Sequence, residues 1–563
     1  MTRRWVWFLA CSILGLAAVL FALAIPAHLR AVDSAVLKRA GRGTPGLVDH
    51  AFKQLRDRQL GPARLLLQAA QSQRLSGREK LEASVNDLAM RYPRLRVWGR
   101  PEPVFDAVFR TEQDSAATNR WPAPITAFLL REDHLSAALE LLKGSPRADL
   151  KLLLGCRSLT NTALLPPSGS SSGQAFDVAV ALCGMLQASQ NFAMSNQVSV
   201  LALQAQQGAR TERLEQIFLD LLSLGQRMDW AQLSSFVQDI PDPETLRQLT
   251  AIIRSAESRL PIIFSAVSLS GAPVQVTSYL TSFGRTGLPD LADSLSAGAG
   301  GVLEMLARNK PLSHPSALGA VALITFPATG DWAADLALKH ARLALAMKCL
   351  LYMLGGFFLA SAVRVLIPRR PYDVFLRVRG VHFARELLFA SGFLVIVLLL
   401  SEPFLSQESQ KVEFPFRLRL PMVGGVASAA KPIIHTTLMN TSLLTLLLFF
   451  VLQALIYTAC LLKLAEIRRQ NLPPRMKLKL LENEDHLFDA GLYLGFVGTI
   501  ISLILVSLGV IAPSLMAAYS STSFGIIFVS AFKIFNLRPL RRSLLLEAES
   551  LASQEPERIY AIT

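Results

Sequence analysis

The sequence predicts an all-α membrane protein with about six transmembrane helices and a large helical extracytoplasmic domain. Three observations carry this reading. The chain of 563 residues is 51% hydrophobic and only 18% charged, with mean hydropathy +0.37, too apolar for an ordinary soluble protein. Its longest apolar runs suffice, at about 1.5 Å of rise per residue, to cross a hydrocarbon layer about 30 Å thick. Residues 27–343, between the first run and the second, show helical rather than alternating periodicity.

Composition also narrows the function. A net charge of +15 would suggest nucleic acid in a soluble chain. Here much of the Lys and Arg lies beside the apolar runs, where it sets topology, so the expected surroundings are membrane lipid and not nucleic acid. Five cysteines without a C-x-x-C pair exclude a zinc ribbon and a redox dithiol motif. Cys156 and Cys183 are free or paired; nothing in the sequence fixes their distance. Residues 27–343 hold no H-E-x-x-H, P-loop or Rossmann fingerprint. No enzyme activity, metal or cofactor is therefore expected, and isolated histidines such as His134 and His314 read as surface residues.

In chain order, the basic start "MTRR" precedes an apolar run from Trp5 to Ile25. Residues 1–26 are an uncleaved anchor or, since "ALAIPA" offers small residues, a signal peptide. Either sends residues 27–343 out of the cytoplasm. In that segment "TERLEQIFLDLLSLG" places Leu214, Ile217, Phe218, Leu221 and Leu222 on one helical face, with Thr211 as cap and Gly225 as stop. Asp242 and Pro243 cap and open another helix. "QLGPARLLLQAAQ" and "HLSAALELLKGSP" resemble the second helix of tetratricopeptide-like hairpins; a solenoid and an irregular helical domain both fit. "LLPPSGSSSGQ" reads as a flexible loop and "SAGAGG" as a turn or hinge.

Further apolar runs follow near residues 345–367, 387–405, 438–462, 488–511 and 514–535. They divide the rest into two transmembrane helices over 344–405, a loop over 406–437, a three-helix unit over 438–536 and a tail over 537–563. The stretches "RVLIPRRPYDVFLRVRGVHFARE", "KLAEIRRQNLPPRMKLK" and "KIFNLRPLRRS" are all basic. Short basic loops stay in the cytoplasm, so each independently puts both termini inside and residues 27–343 outside. The 406–437 loop falls outside although it is itself basic.

The last two runs carry an unusual density of hydroxyls. At 100° per residue Gly491, Gly495, Gly498, Thr499, Ser502 and Gly509 lie within about 100° of arc. Ser514, Ala518, Ser521, Thr522 and Gly525 share a similar arc on the next helix. Such stripes serve close helix packing, in which hydroxyls bond back to backbone, or a pore or partner-facing wall that holds water or a carboxylate.

"LGFVGTIIS" followed by "IAPSLMAAYSSTSFGIIFVSAFKIFN" resembles the paired last two membrane helices of the MotA/TolQ/ExbB proton-channel family. Leu494, Gly495, Gly498 and Thr499 match its Leu-Gly-x-x-Gly-Thr signature; Ala512, Pro513, Thr522 and Gly525 match the second helix. The resemblance covers roughly the last 130 residues and agrees with the charge-derived orientation. The cytoplasmic segment before the hairpin is shorter than is usual in the family, as is the outside turn.

The resemblance implies an ion channel, most directly for protons, in a bacterial inner membrane, assembled as a pentamer. Its partner would be a single-span protein with a transmembrane Asp, similar to ExbD, TolR or MotB, and ion flow would do work on that partner. Thr499 and Thr522 would face the partner's carboxylate, with Ser502, Ser521 and Ser523 as secondary candidates. Gly495, Gly498, Gly525 and Pro513 would serve helix packing. The chain fits this division of labour, because its last three spans hold no deep Asp or Glu. Asp489 and Glu402 read as interfacial, and Gln453 as a packing contact or a pore residue. A second class of function is a membrane-anchored scaffold whose helical outer domain recruits partners.

Overall fold

The computed structural model describes residues 2–109, 123–189, 192–314, 317–325, 327–366, 379–402, 441–507 and 515–560. These are mostly helical. They form two compact units, one of residues 34–312 and one that joins residues 2–33 to the chain from 313 onward.

The first unit is a sequence of short amphipathic helices. Those at Glu132–Lys143, Gln174–Ala188, Glu212–Gly225, Pro243–Ser255 and Pro273–Ser296 each pack on the next in that row, while the helices between them take up alternate places. Two adjacent turns of such a row share one core, here including Phe176 and Phe218, whose rings meet edge to face at 5.6 Å. Asp242 accepts from the Thr245 amide at 2.9 Å, with Pro243 in the first turn, so this helix starts as its sequence requires. Gly298 (φ +89°) makes the "SAGAGG" turn.

Several local readings differ from the structure. Thr211 stands at a helix start but makes no side-chain cap there; its hydroxyl reaches the Asn161 carbonyl at 3.4 Å. Gly225 does end its helix as expected, and it is also needed for space, since a Cβ would lie 2.8 Å from Thr126 Cγ2. The loop containing "LLPPSGSSSGQ" is held down by Glu215, which accepts from the amides of Ala163, Leu164 and Leu165 at 2.8, 2.5 and 2.7 Å. His134 is a core residue and not a surface one, 5% exposed and stacked on Phe128 at 4.0 Å. His314 is exposed. Cys156 and Cys183 are both buried and free.

In the second unit, four helices are long and apolar enough to cross a membrane: Arg4–Leu23, Ala341–Val365, Phe449–Arg469 and Tyr519–Ser550. Phe389–Leu398 and Ala490–Ile500 are shorter apolar stretches. The Thr2–Leu23 helix lies along Ala341–Leu366, and their crossing is glycine to glycine. A Cβ on Gly15 would stand 3.1 Å from the Gly355 carbonyl oxygen, and one on Gly355 would stand 3.1 Å from that of Gly15. The helices Ala317–Thr325 and Pro327–Lys339 also pack in this unit, so the first compact unit ends at residue 312 and not at 343.

The helix that begins at Leu515 does not stop at the expected span end. It passes through a π-helical turn, Lys533–Leu537, into Arg538–Tyr560. The extension packs against Pro474–Asn483. Cys460, Leu464, Ile467, Leu481, Phe488, Phe532, Leu537 and Leu544 bury a small apolar core there, which explains why the basic tail continues as helix. The basic loop at 367–378, the 406–437 loop, Ala512 and Pro513 lie outside the described residues.

Candidate functional site

The hairpin of Ala490–Ser507 and Leu515–Phe532, backed by Thr441–Arg469, is built on the small-residue stripes. A Cβ on Gly495 would stand 2.8 Å from the Ser521 carbonyl oxygen and 3.2 Å from Thr522 Cα. One on Gly498 would meet Ser521 Oγ at 2.5 Å, and one on Gly525 the Gly491 carbonyl oxygen at 2.8 Å. The backbones therefore approach as closely as glycine permits, which forgoes side-chain volume and gains dispersion along the whole seam.

Thr499 and Thr522 meet within this seam. Their hydroxyl oxygens are 2.5 Å apart, so one donates to the other, and the accepting hydroxyl donates on to the Gly495 carbonyl oxygen, which lies 3.1 Å from Thr499 Oγ1 and 3.2 Å from Thr522 Oγ1. Both are part-buried. One carbonyl needs one donor, so the second hydroxyl proton is redundant for satisfying the backbone. Turning it toward a third group costs about 0.5–1.5 kcal/mol, the net worth of one hydrogen bond.

The secondary candidates divide. Ser521 is buried against Gly498, 1% exposed. Ser523 is exposed and bonds back to the Tyr519 carbonyl at 2.9 Å, the usual way a membrane helix satisfies a hydroxyl. Ser502 lies on the first helix of the pair. Elsewhere on the two helices Phe496 (61%), Tyr519 (60%) and Ile527 (58%) are exposed, side chains suited to lipid or to another apolar helix.

Gln453 is buried and donates from Nε2 to the Gly491 carbonyl at 2.9 Å, a contact that ties the third helix to the seam. Asp489 is paired with Lys533 at 2.7 Å, at the end of the hairpin where the small apolar core begins. No Asp or Glu occurs within Ala490–Ser507 or Leu515–Phe532. Among the described residues no cluster of three His, Cys, Asp or Glu side chains could hold a metal.

Charge is found elsewhere in the unit. Glu402, just past the end of Arg379–Ser401, has a fully buried side chain, 3.4 Å from Lys348 Nζ and 3.5 Å from His28 Nδ1. At the other end of the same helices Glu386 is paired with Arg364 at 2.8 Å and accepts from Ser361 at 3.2 Å. Lys348 is the residue that sequence reading missed. A lysine inside "ALAMKCLLYML" was signal enough that a buried anion had to be near it.

Neither a protein-family model, nor a curated protein, nor a solved structure matches this chain.

Proposed function

We propose that the chain is an ion-channel subunit, for protons, of an energy-transducing complex in a bacterial inner membrane. One observation carries the reading: the hydroxyls at the two signature positions, Thr499 and Thr522, come from different helices and converge on a single carbonyl. Six spans, counting Arg379–Ser401 and Ala490–Ser507 with the longer four, put both termini in the cytoplasm and the 34–312 unit outside. Such a hairpin has donors but no proton acceptor of its own in the spans. A partner helix bearing a transmembrane Asp supplies one. The redundant hydroxyl proton then stabilises the partner's carboxylate in its charged form and releases it when the carboxylate is protonated. Several copies of the chain around that partner give the carboxylate successive hydroxyl pairs to visit.

A structure of the complex purified from its native membrane tests this. The expected result is a symmetric ring of this chain around at least one partner helix, with its carboxylate beside Thr499 and Thr522. A monomer with lipid against that face would overturn it.

The second reading, a membrane-anchored scaffold, is favoured by the internal satisfaction of both hydroxyls and by a groove among Ser195–Gln206, Glu212–Gly225 and Pro243–Ser255, lined by Val200, Leu201 and Ile217 together with Arg213, Gln216 and Arg247. It predicts that the hydroxyls are dispensable.

A further inference from the structure

A second polar cluster lies far from the hairpin threonines in sequence and is not used by the channel reading. It begins where the chain leaves the Thr2–Leu23 helix. Ala22, Ala24, Ile25 and Ala27 are buried, and Ala22 joins Tyr352, Val395 and Leu398 in one apolar cluster. The segment is fixed by polar groups from two other helices. Lys348 of Ala341–Leu366 donates to the Ala27 carbonyl at 2.7 Å. Glu402, at the end of Arg379–Ser401, accepts from the Leu29 amide at 2.8 Å.

His28 sits between the carboxylates. Its Nε2 is 3.3 Å from Asp33 Oδ2, and its Nδ1 is 3.5 Å from Glu402 Oε1. Nδ1 is buried and makes no hydrogen bond. A neutral imidazole has one N–H, so it can donate to one carboxylate only, and its other nitrogen then turns a lone pair on the second. The imidazolium donates to both. Charge gives the same answer. With His28 protonated, two cations (His28 and Lys348) face two carboxylates (Asp33 and Glu402); with it neutral, the enclosed group carries a net negative charge.

We propose that His28, Asp33, Lys348 and Glu402 form a proton-operated latch, which holds the 24–33 segment to the Ala341–Leu366 and Arg379–Ser401 helices when His28 is protonated and loosens it when His28 is neutral.

The groups that bear on His28 are Asp33 from its own segment, Lys348 from one helix and Glu402 from the other; the end of Thr2–Leu23 contributes apolar side chains only. Burial pushes the imidazole down and Lys348 adds to this, but the two carboxylates of Asp33 and Glu402 outweigh both and hold His28 above its ordinary value of 6.5. The sign follows. A raised native value means that the contribution to stability is complete below pH 6.5 and disappears as pH rises through the native value. Acid closes the latch and alkali opens it.

Hydrogen–deuterium exchange of the full chain in lipid nanodiscs, read on peptides spanning residues 24–33 and normalised to the unfolded exchange rate at each pH, tests the proposal. Wild type should show a single-proton step with a midpoint above 6.5, and protection at its acid end greater by about tenfold, the order set by one hydrogen bond to a charged group. His28→Gln should give a flat profile at the alkaline level, and His28→Lys, a fixed cation, a flat profile at the protected level. Asp33→Asn should move the midpoint down. A flat wild-type profile, or a step that persists in His28→Lys or in His28→Gln, would overturn the latch. The opposite fixed levels of the two His28 variants separate switching from general loss of fold.

Discussion

The two helix groups of the membrane unit are held together by different physics. In the forward group, Thr2–Leu23, Ala341–Leu366 and Arg379–Ser401, a close glycine crossing is accompanied by ion pairs, the buried Lys348 with Glu402 and the exposed Arg364 with buried Glu386. In the rear group, Thr441–Arg469, Ala490–Ser507 and Leu515–Phe532, the seam is small residues, one amide and a pair of hydroxyls, with ion pairs such as Asp489 with Lys533 and Lys463 with Glu484 beyond its end. Buried ion pairs fix one geometry and penalise any other, because a separated charge in a low-dielectric site is expensive. Hydroxyls bonded to a carbonyl can exchange partners at the cost of one hydrogen bond. The forward group is held in one geometry while its charges stay paired, and the rear group contains atoms that can turn toward something else.

This contrast orders the consequences of substitution. Lys348→Met leaves Glu402 buried without its cation and should destabilise the chain by about 3–5 kcal/mol, measured by unfolding of the full chain in detergent. Adding Glu402→Gln should recover much of that loss, since Gln still accepts from the Leu29 amide; no recovery would show that the charge pair is not what matters there. Gly495→Leu drives a side chain into the Ser521 carbonyl and should cost about 1–3 kcal/mol, with fewer cross-links between cysteines placed across the hairpin. Gln453→Leu removes one hydrogen bond to Gly491 and should cost about 0.5–1.5 kcal/mol. A larger loss would mean that the rear group also depends on a polar anchor. Thr499→Val should be the mildest, below about 1 kcal/mol, because Thr522 still serves the Gly495 carbonyl.

Much of the rear group was legible in the sequence, since its order is carried by periodicity. Gly495, Gly498 and Thr499 share an arc, as do Ser521, Thr522 and Gly525, and helices with matching small faces have few other ways to pack. What periodicity could not separate was the seam from the open face, because a hydroxyl is compatible with either. Ser521 lies in the seam and Ser523 outside it, two positions apart. The forward group was read only as spans. Its polar contacts join residues distant along the chain: Lys348 and Glu402 are 54 positions apart, and Leu29 and Glu402 are 373 apart, so no window of sequence contains both members. The long helix through Lys533–Leu537 was hidden for a related reason. Its polar continuation has little apolar periodicity of its own and is held by Pro474–Asn483.

The central claim is that the Thr499 and Thr522 hydroxyls act on a proton path and do not merely pack. Proton flux into proteoliposomes, driven by an imposed membrane potential and measured with an entrapped pH dye, tests it most directly on the complex purified with its co-purifying partners. The double variant Thr499→Val with Thr522→Val should assemble as wild type does but conduct at least about tenfold more slowly, the effect of losing roughly 1.4 kcal/mol of stabilisation at the barrier. Equal flux from wild type and double variant in equally assembled complexes would contradict the account and leave the hydroxyls as packing alone.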